Sequence, residues 1–125
     1  MPCPFCNPAP EDIVAANDLC YARYDIHPVS PGHLLVIPFR HVESYFDMTD
    51  EERTALARLI DDCKALTDRD RHPDGYNIGV NVGGEAAGGQ NVMHVHIHFI
   101  PRYRGGDAGE HGGGVRGGVF PCEPE

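Results

Sequence analysis

The segment His94-Val95-His96-Ile97-His98-Phe99-Ile100 constrains this chain more than any other stretch of it. On an extended strand alternate side chains share a face, so three imidazoles fall on one side and Val95, Ile97 and Phe99 on the other. The apolar side reads as core and the histidine side opens onto something polar, which makes the segment both a sheet strand and the floor of a site. A lone histidine on an apolar strand is usually a satisfied core residue, but three in alternation, entered from a glycine-rich loop, are hard to explain as packing. Residues two apart lie about 6.6 Å along a strand and residues four apart about 13 Å, so a straight strand offers one metal two ligands but not readily three. The three histidines are therefore expected to have different jobs. Imidazole, mostly neutral at pH 7, is a good nucleophile toward phosphorus, and the middle ring, His96, is the natural attacker.

The size of the chain, 125 residues, predicts one domain over 1–125, able to bury roughly two thirds of its unfolded surface. Its net charge of -9 excludes a basic surface for gripping a nucleic-acid backbone. Any phosphate it handles is expected to be held by histidines and backbone N–H groups. There is no charged start followed by a signal-type apolar run and no stretch of about 18 apolar residues, so a soluble, cytoplasmic protein with no membrane partner is expected. Five cysteines, an odd number, argue for reduced thiols or a metal rather than a disulfide framework.

Strand-like runs occupy Leu19 to Tyr24, His33 to Pro38 and Tyr76 to Val82. The two prolines and the glycine between Asp25 and Gly32 require a loop. Thr49-Asp50-Glu51-Glu52 has the form of a capping box, predicting a helix that ends near Arg69 to Pro73. Leu56, Leu59, Ile60, Cys63 and Leu66 give it an apolar stripe, with Glu51, Arg58, Asp62 and Lys64 outward. Residues 1–12, rich in proline and cysteine, are expected to be irregular. From Gly105 on, eight of the last 21 residues are glycine, which predicts a loop or an arm over about 103–125.

Three further features carry chemistry. Cys3-Pro4-Phe5-Cys6 is a CxxC knuckle of the kind that supplies half of a tetrahedral zinc site, and the histidines, His41 among them, are the obvious source of two more ligands. The loop from Gly83 to Asn91 can bring backbone N–H groups close to phosphate oxygens. Asp25 and His33 bracket the proline loop; read alone, each is more often a turn-former or a surface residue. No role is assigned to His27, His72 or His111.

On these residues the chain resembles the histidine triad (HIT) superfamily, whose signature of alternating histidines and apolar residues is matched from His94 to Ile100. The resemblance extends over Asp25 to Pro38, Arg40-His41-Val42, Tyr76 to Asn81, Gly88-Gly89-Gln90, Pro101-Arg102 and Gly113 to Arg116. It implies an α+β fold: a five-stranded antiparallel sheet with one long helix and a shorter helical segment, dimerising so that two sheets run together. It also implies a nucleotide hydrolase in which His96 attacks the α-phosphorus of a nucleoside phosphoramidate or dinucleoside polyphosphate and water cleaves the nucleotidyl-histidine. His98 would donate to a phosphate oxygen, Asp25 would bind the ribose hydroxyls with Ile26 beside the base, and His33 would support the histidines. Asn81, Gly89, Gln90 and Asn91 would line the phosphate and leaving-group side, Asn91 standing where Ser or Thr is common. In branches with an N-terminal CxxC, similar to galactose-1-phosphate uridylyltransferase, a structural zinc ion is held by residues matching Cys3, Cys6, His41 and His94. Uridylyltransferases carry Gln in place of the third histidine, so His98 favours hydrolysis over transfer. Two other readings stand beside this one: a nucleotide-binding regulatory module, and a mononuclear zinc hydrolase in which His94 and His96 both hold catalytic metal.

Overall fold

The computed structural model describes residues 3–105 and residue 116. The Gly-rich stretch expected to form an arm falls, apart from its first few residues and Arg116, outside them. Five strands, β1 (Ala15–Ala16), β2 (Cys20–Tyr24), β3 (Leu34–Pro38), β4 (Gly75–Val80) and β5 (Ile97–Arg102), form one antiparallel sheet in the order β1-β2-β3-β5-β4. The single α-helix among the described residues, α1 (Asp50–Arg71), begins where expected. Thr49 accepts from the Glu52 N–H at 3.0 Å and the Glu52 carboxylate accepts from the Thr49 N–H at 2.9 Å, so both halves of the capping box are present. The helix stops at His72, which takes a left-handed conformation with φ 50. The shorter helical segment resolves into two 3-10 turns, Pro10–Asp12 and Tyr45–Asp47.

Alternation along the strands divides the core in two. Cys20, Ala22, Leu34, Val36, Val95, Ile97 and Phe99 face α1 and meet Leu56, Leu59 and Cys63. Their neighbours Tyr21, Leu35 and Ile37 point the other way and are covered by Phe5, Cys3 and Ile13 of the N-terminal segment. Because the Cys-rich start of the chain roofs the second face, the histidine side of β5 does not open broadly onto solvent. His94, His96 and His98 are each 4 % exposed or less.

The histidine segment also departs from a straight strand. Pairing with β3 and β4 begins at Ile97, and before it the Val95 N–H donates to the Val42 carbonyl at 2.8 Å. His94 and His96 thus lie on the approach to β5, against the chain that follows β3. A residue at the buried end of α1 fixes that neighbouring chain. Glu52 receives two bonds from Arg40, Nε at 3.1 Å and Nη2 at 2.8 Å, which hold its carboxyl below the usual carboxylate range and anchor the residue preceding His41.

Candidate functional site

The three histidines differ in which ring nitrogen carries the proton, and backbone carbonyls, which can only accept, decide this for two of them. His94 places Nε2 2.8 Å from the Pro38 carbonyl, so Nε2 donates and the lone pair sits on Nδ1. His96 is reversed: its Nδ1 lies 2.8 Å from the His94 carbonyl and donates to it, leaving the lone pair on Nε2. For His98 the decision is relayed. The Val29 N–H donates to His33 Nδ1 at 3.2 Å, so neutral His33 carries its proton on Nε2 and donates to His98 Nδ1 at 3.0 Å. His98 is left with a donor on Nε2.

Burial supports the neutral forms this requires. Desolvation pushes His33 down to about 4 and His98 to about 3, and it also lowers His96. Asp25 responds to opposed influences. Burial raises its carboxyl, the His27 N–H and the Arg116 guanidinium lower it, and the balance falls below its ordinary value. Its Oδ2 lies 3.5 Å from His33 Nε2, a contact with a neutral ring rather than an ion pair.

His94 Nδ1 faces the knuckle, 3.3 Å from Cys3 Sγ and 3.6 Å from Cys6 Sγ, while His41 Nδ1 lies 3.1 Å from Cys6 Sγ. These four ligand atoms all lie within 4.8 Å of one another. A tetrahedron with metal–nitrogen bonds of about 2.0 Å and metal–sulfur bonds of about 2.3 Å has edges of roughly 3.3–3.8 Å, so the Cys₂His₂ donor set suits a closed zinc site with little adjustment. A second group, Asp25, His33 and His98, is similarly close, but the bonds just described already engage it. His96 belongs to neither group, so among the described residues no cluster joins His94 and His96 as ligands of one metal.

His96 and His98 line a cavity of about 370 Å³ together with Asp25, Ile26 and Asn91. His33 stands behind His98, fully buried, which corrects its reading as a turn or surface residue. Asn81, Gly89 and Gln90 are not among the lining residues. The Gln90 side chain is engaged instead in holding the loop: its amide donates to the Glu43 and Val92 carbonyls at 2.7 and 3.0 Å and accepts from the Gly83 N–H at 3.2 Å. Several loop N–H groups likewise close on the loop itself, including Ala87 and Gly89 to the Gly84 carbonyl. Gly88 is obligatory there, since a Cβ would stand 1.6 Å from the Val82 carbonyl oxygen.

Sequence reasoning did not place Phe5 or Arg116. Phe5, between the knuckle cysteines, packs its ring 5.1 Å from that of His96 and walls the cavity. Its position in CxxC was the available signal, but nothing local says that the knuckle folds over the sheet.

Fold and site together define an α+β protein with a histidine-lined cavity beside a Cys₂His₂ cluster. Residues 7–105 match the HIT domain family, and the chain belongs to it. It is 38% identical over 96 residues to the AP-4-A phosphorylase of Mycobacterium tuberculosis (strain ATCC 25618 / H37Rv), covering 77% of this chain and 48% of that protein, so it spans about half that relative's length. It is 37% identical over 91 residues to the bis(5'-adenosyl)-triphosphatase of Dictyostelium discoideum, covering 73% of this chain and 60% of the relative. A Zn-bound histidine triad family protein from Mycobacterium smegmatis superposes with a TM-score of 0.68 at 32% identity, over 78% of this chain and 69% of that one. No described helix is long and apolar enough to cross a membrane.

Proposed function

We propose that the chain cleaves at the α-phosphorus of a nucleoside phosphoramidate or a dinucleoside polyphosphate through a nucleotidyl-His96 intermediate. The observation that carries this reading is the protonation pattern: a neutral His96 with its Nε2 lone pair available beside a His98 whose Nε2 donates, both lining one cavity. In the first step Nε2 of His96 forms a bond to phosphorus as the bond to the leaving amine or phosphate breaks, and the leaving group departs with its electron pair, an amine taking up a proton from solvent as it goes. The His98 N–H donates to a non-bridging oxygen as charge gathers there. Water then attacks the same phosphorus and gives up a proton to solvent, the electron pair of the breaking N–P bond returns to Nε2, and His96 is again neutral. Asp25 takes the ribose hydroxyls and Ile26, 77% exposed at the rim, lies beside the base. Asn91 stands on the leaving-group side, and Asn81, Gly89 and Gln90 act there through the loop they build. His33 is a positioning residue acting through His98. The names of the two curated relatives, both describing adenosine polyphosphates, agree with this substrate class.

In this reading Cys3, Cys6, His41 and His94 hold a structural zinc ion, which when bound clamps the N-terminal roof to the approach of β5. The thiols must be reduced to serve, which fits a cytoplasmic setting. The edge strand β4, with Ile78 52% exposed, is the element through which two copies would pair their sheets. Turnover of adenosine phosphoramidate and diadenosine tetraphosphate tests the function, with a rapid alkaline denaturing quench, in which a phosphorus–nitrogen bond to histidine survives, and peptide mass spectrometry at neutral to basic pH to locate the adduct. The expected result is AMP release and an adenylyl group on the peptide containing His96. A protein that binds AMP but releases no product is a regulatory module instead.

A further inference from the structure

Asp25 and Arg116 are separated by 91 residues in sequence, yet they meet at the rim of the cavity. Arg116 Nη1 donates to Asp25 Oδ2 at 2.9 Å and its Nη2 donates to the His27 carbonyl at 2.6 Å. The backbone there is held in turn, because Arg102 Nη2 donates to the Arg116 carbonyl at 3.2 Å while Arg102 Nε donates to Asn77 Oδ1 at 2.7 Å. On its other side Asp25 Oδ1 accepts from the His27 N–H at 2.8 Å. The carboxylate is thus gripped at both oxygens. The side chains of Asp25 and Arg116 are 10% and 26% exposed, so both are partly reachable from the cavity.

We propose that Arg116 is a positioning residue that makes this pocket selective for a ribose with two free neighbouring hydroxyls, by fixing the plane of the Asp25 carboxylate. The inference rests on the nucleotide reading above. A carboxylate offers about four lone-pair sites, two on each oxygen. The His27 N–H fills one on Oδ1 and Arg116 fills one on Oδ2; His33 Nε2 stands 3.5 Å from Oδ2 but gives its N–H to His98, which leaves one acceptor position on each oxygen. Two adjacent acceptors on a plane that cannot rotate match two adjacent O–H donors. With Oδ2 released, the group could turn about its Cβ–Cγ bond and would serve as a single, ill-placed acceptor. The fork is aimed at the ribose end rather than at phosphate, since Nη1 and Nη2 are both engaged by Asp25 and the His27 carbonyl. The other guanidinium lining the cavity, on Arg23, lies 3.7 Å from Asp12 instead.

The test is calorimetric titration of the zinc-loaded full chain with AMP, 2′-deoxy-AMP and 3′-deoxy-AMP, for wild type, Arg116→Ala and Arg116→Lys. Wild type is expected to bind AMP at least about tenfold more tightly than either deoxy form, the scale of one hydrogen bond to a charged group. In Arg116→Ala, AMP affinity falls about tenfold while that of the deoxy forms changes little, so the preference collapses. Arg116→Lys keeps the charge but not the fork and recovers an intermediate preference. A melting temperature close to wild type identifies an Arg116→Ala protein that is folded. An Arg116→Ala protein that keeps the full preference, or weakens all three ligands equally, overturns the proposal and leaves the hydrolase reading intact. Wild type that binds no nucleotide overturns both.

Discussion

His94 and His96 are two residues apart, both buried, and hydrogen-bonded by the same kind of partner, yet their lone pairs point opposite ways. A carbonyl on Nε2 turns the His94 lone pair toward two thiols, and a carbonyl on Nδ1 turns the His96 lone pair toward the cavity. The difference teaches that position in the motif does not set a histidine's chemistry; the acceptor it meets does. Two substitutions break the comparison in opposite ways. His96→Ala is expected to lower turnover by about 10⁴-fold or more while zinc content and melting temperature stay near wild type, since a nucleophile has no substitute. His94→Ala is expected to lose about one zinc per chain and several kcal/mol of stability, because metal binding and folding are linked. Elemental analysis and melting curves on both proteins check this. Equal zinc loss in the two would mean that the rings share a metal.

The His33 end sharpens the same contrast without touching either ring. His33→Ala leaves His98 without the donor that fixes its proton on Nε2, so kcat is expected to fall roughly 10- to 100-fold with KM little changed. Zinc content is expected to stay near wild type, because His33 groups with Asp25 and His98 rather than with Cys3, Cys6, His41 and His94. His33→Asn or Gln, which can still offer an N–H, is expected to recover part of the loss. A variant whose KM rises while kcat holds would assign His33 to ground-state binding instead.

What was legible in the sequence follows from range. The capping box and the alternation of the histidine segment are local patterns and appear in the fold, and of the helix stripe Leu56, Leu59 and Cys63 reach the core, with Thr67 buried in the last turns where the spacing predicts Leu66. β1, with two residues, is too short to show a period. The CxxC knuckle was readable as half of a ligand set that the fold does bring together with His41 and His94, but the placement of Phe5 against His96 depends on the N-terminal segment folding across a sheet formed much later in the chain. Gln90 shows the same dependence on long-range placement. The family resemblance puts it on the phosphate and leaving-group side, and its side chain makes three bonds to backbone that brace the loop. The meeting of Asp25 with Arg116 joins segments with no shared local pattern, so only the tertiary structure reveals it.

The smallest expected effect concerns pH, and its sign follows from burial. His33 and His98 are held neutral in the fold, at about 4 and about 3, whereas in the unfolded chain each returns to about 6.5. The unfolded state therefore binds more protons wherever the pH lies between those values, so stability is full above about pH 6.5 and declines as the pH falls toward 4. Between pH 7 and pH 6 the decline from the two rings amounts to roughly 1 kcal/mol. Zinc release from protonated thiols would add to any such loss, so wild type alone does not isolate the effect. A double variant, His33→Gln with His98→Gln, retains Cys3, Cys6, His41 and His94 and so keeps the metal contribution. Urea denaturation of both proteins at the two pH values is expected to show a smaller decline in the double variant. If both lose the same amount, the two imidazoles are not the groups whose burial resists protonation, and the neutral His33–His98 relay is wrong.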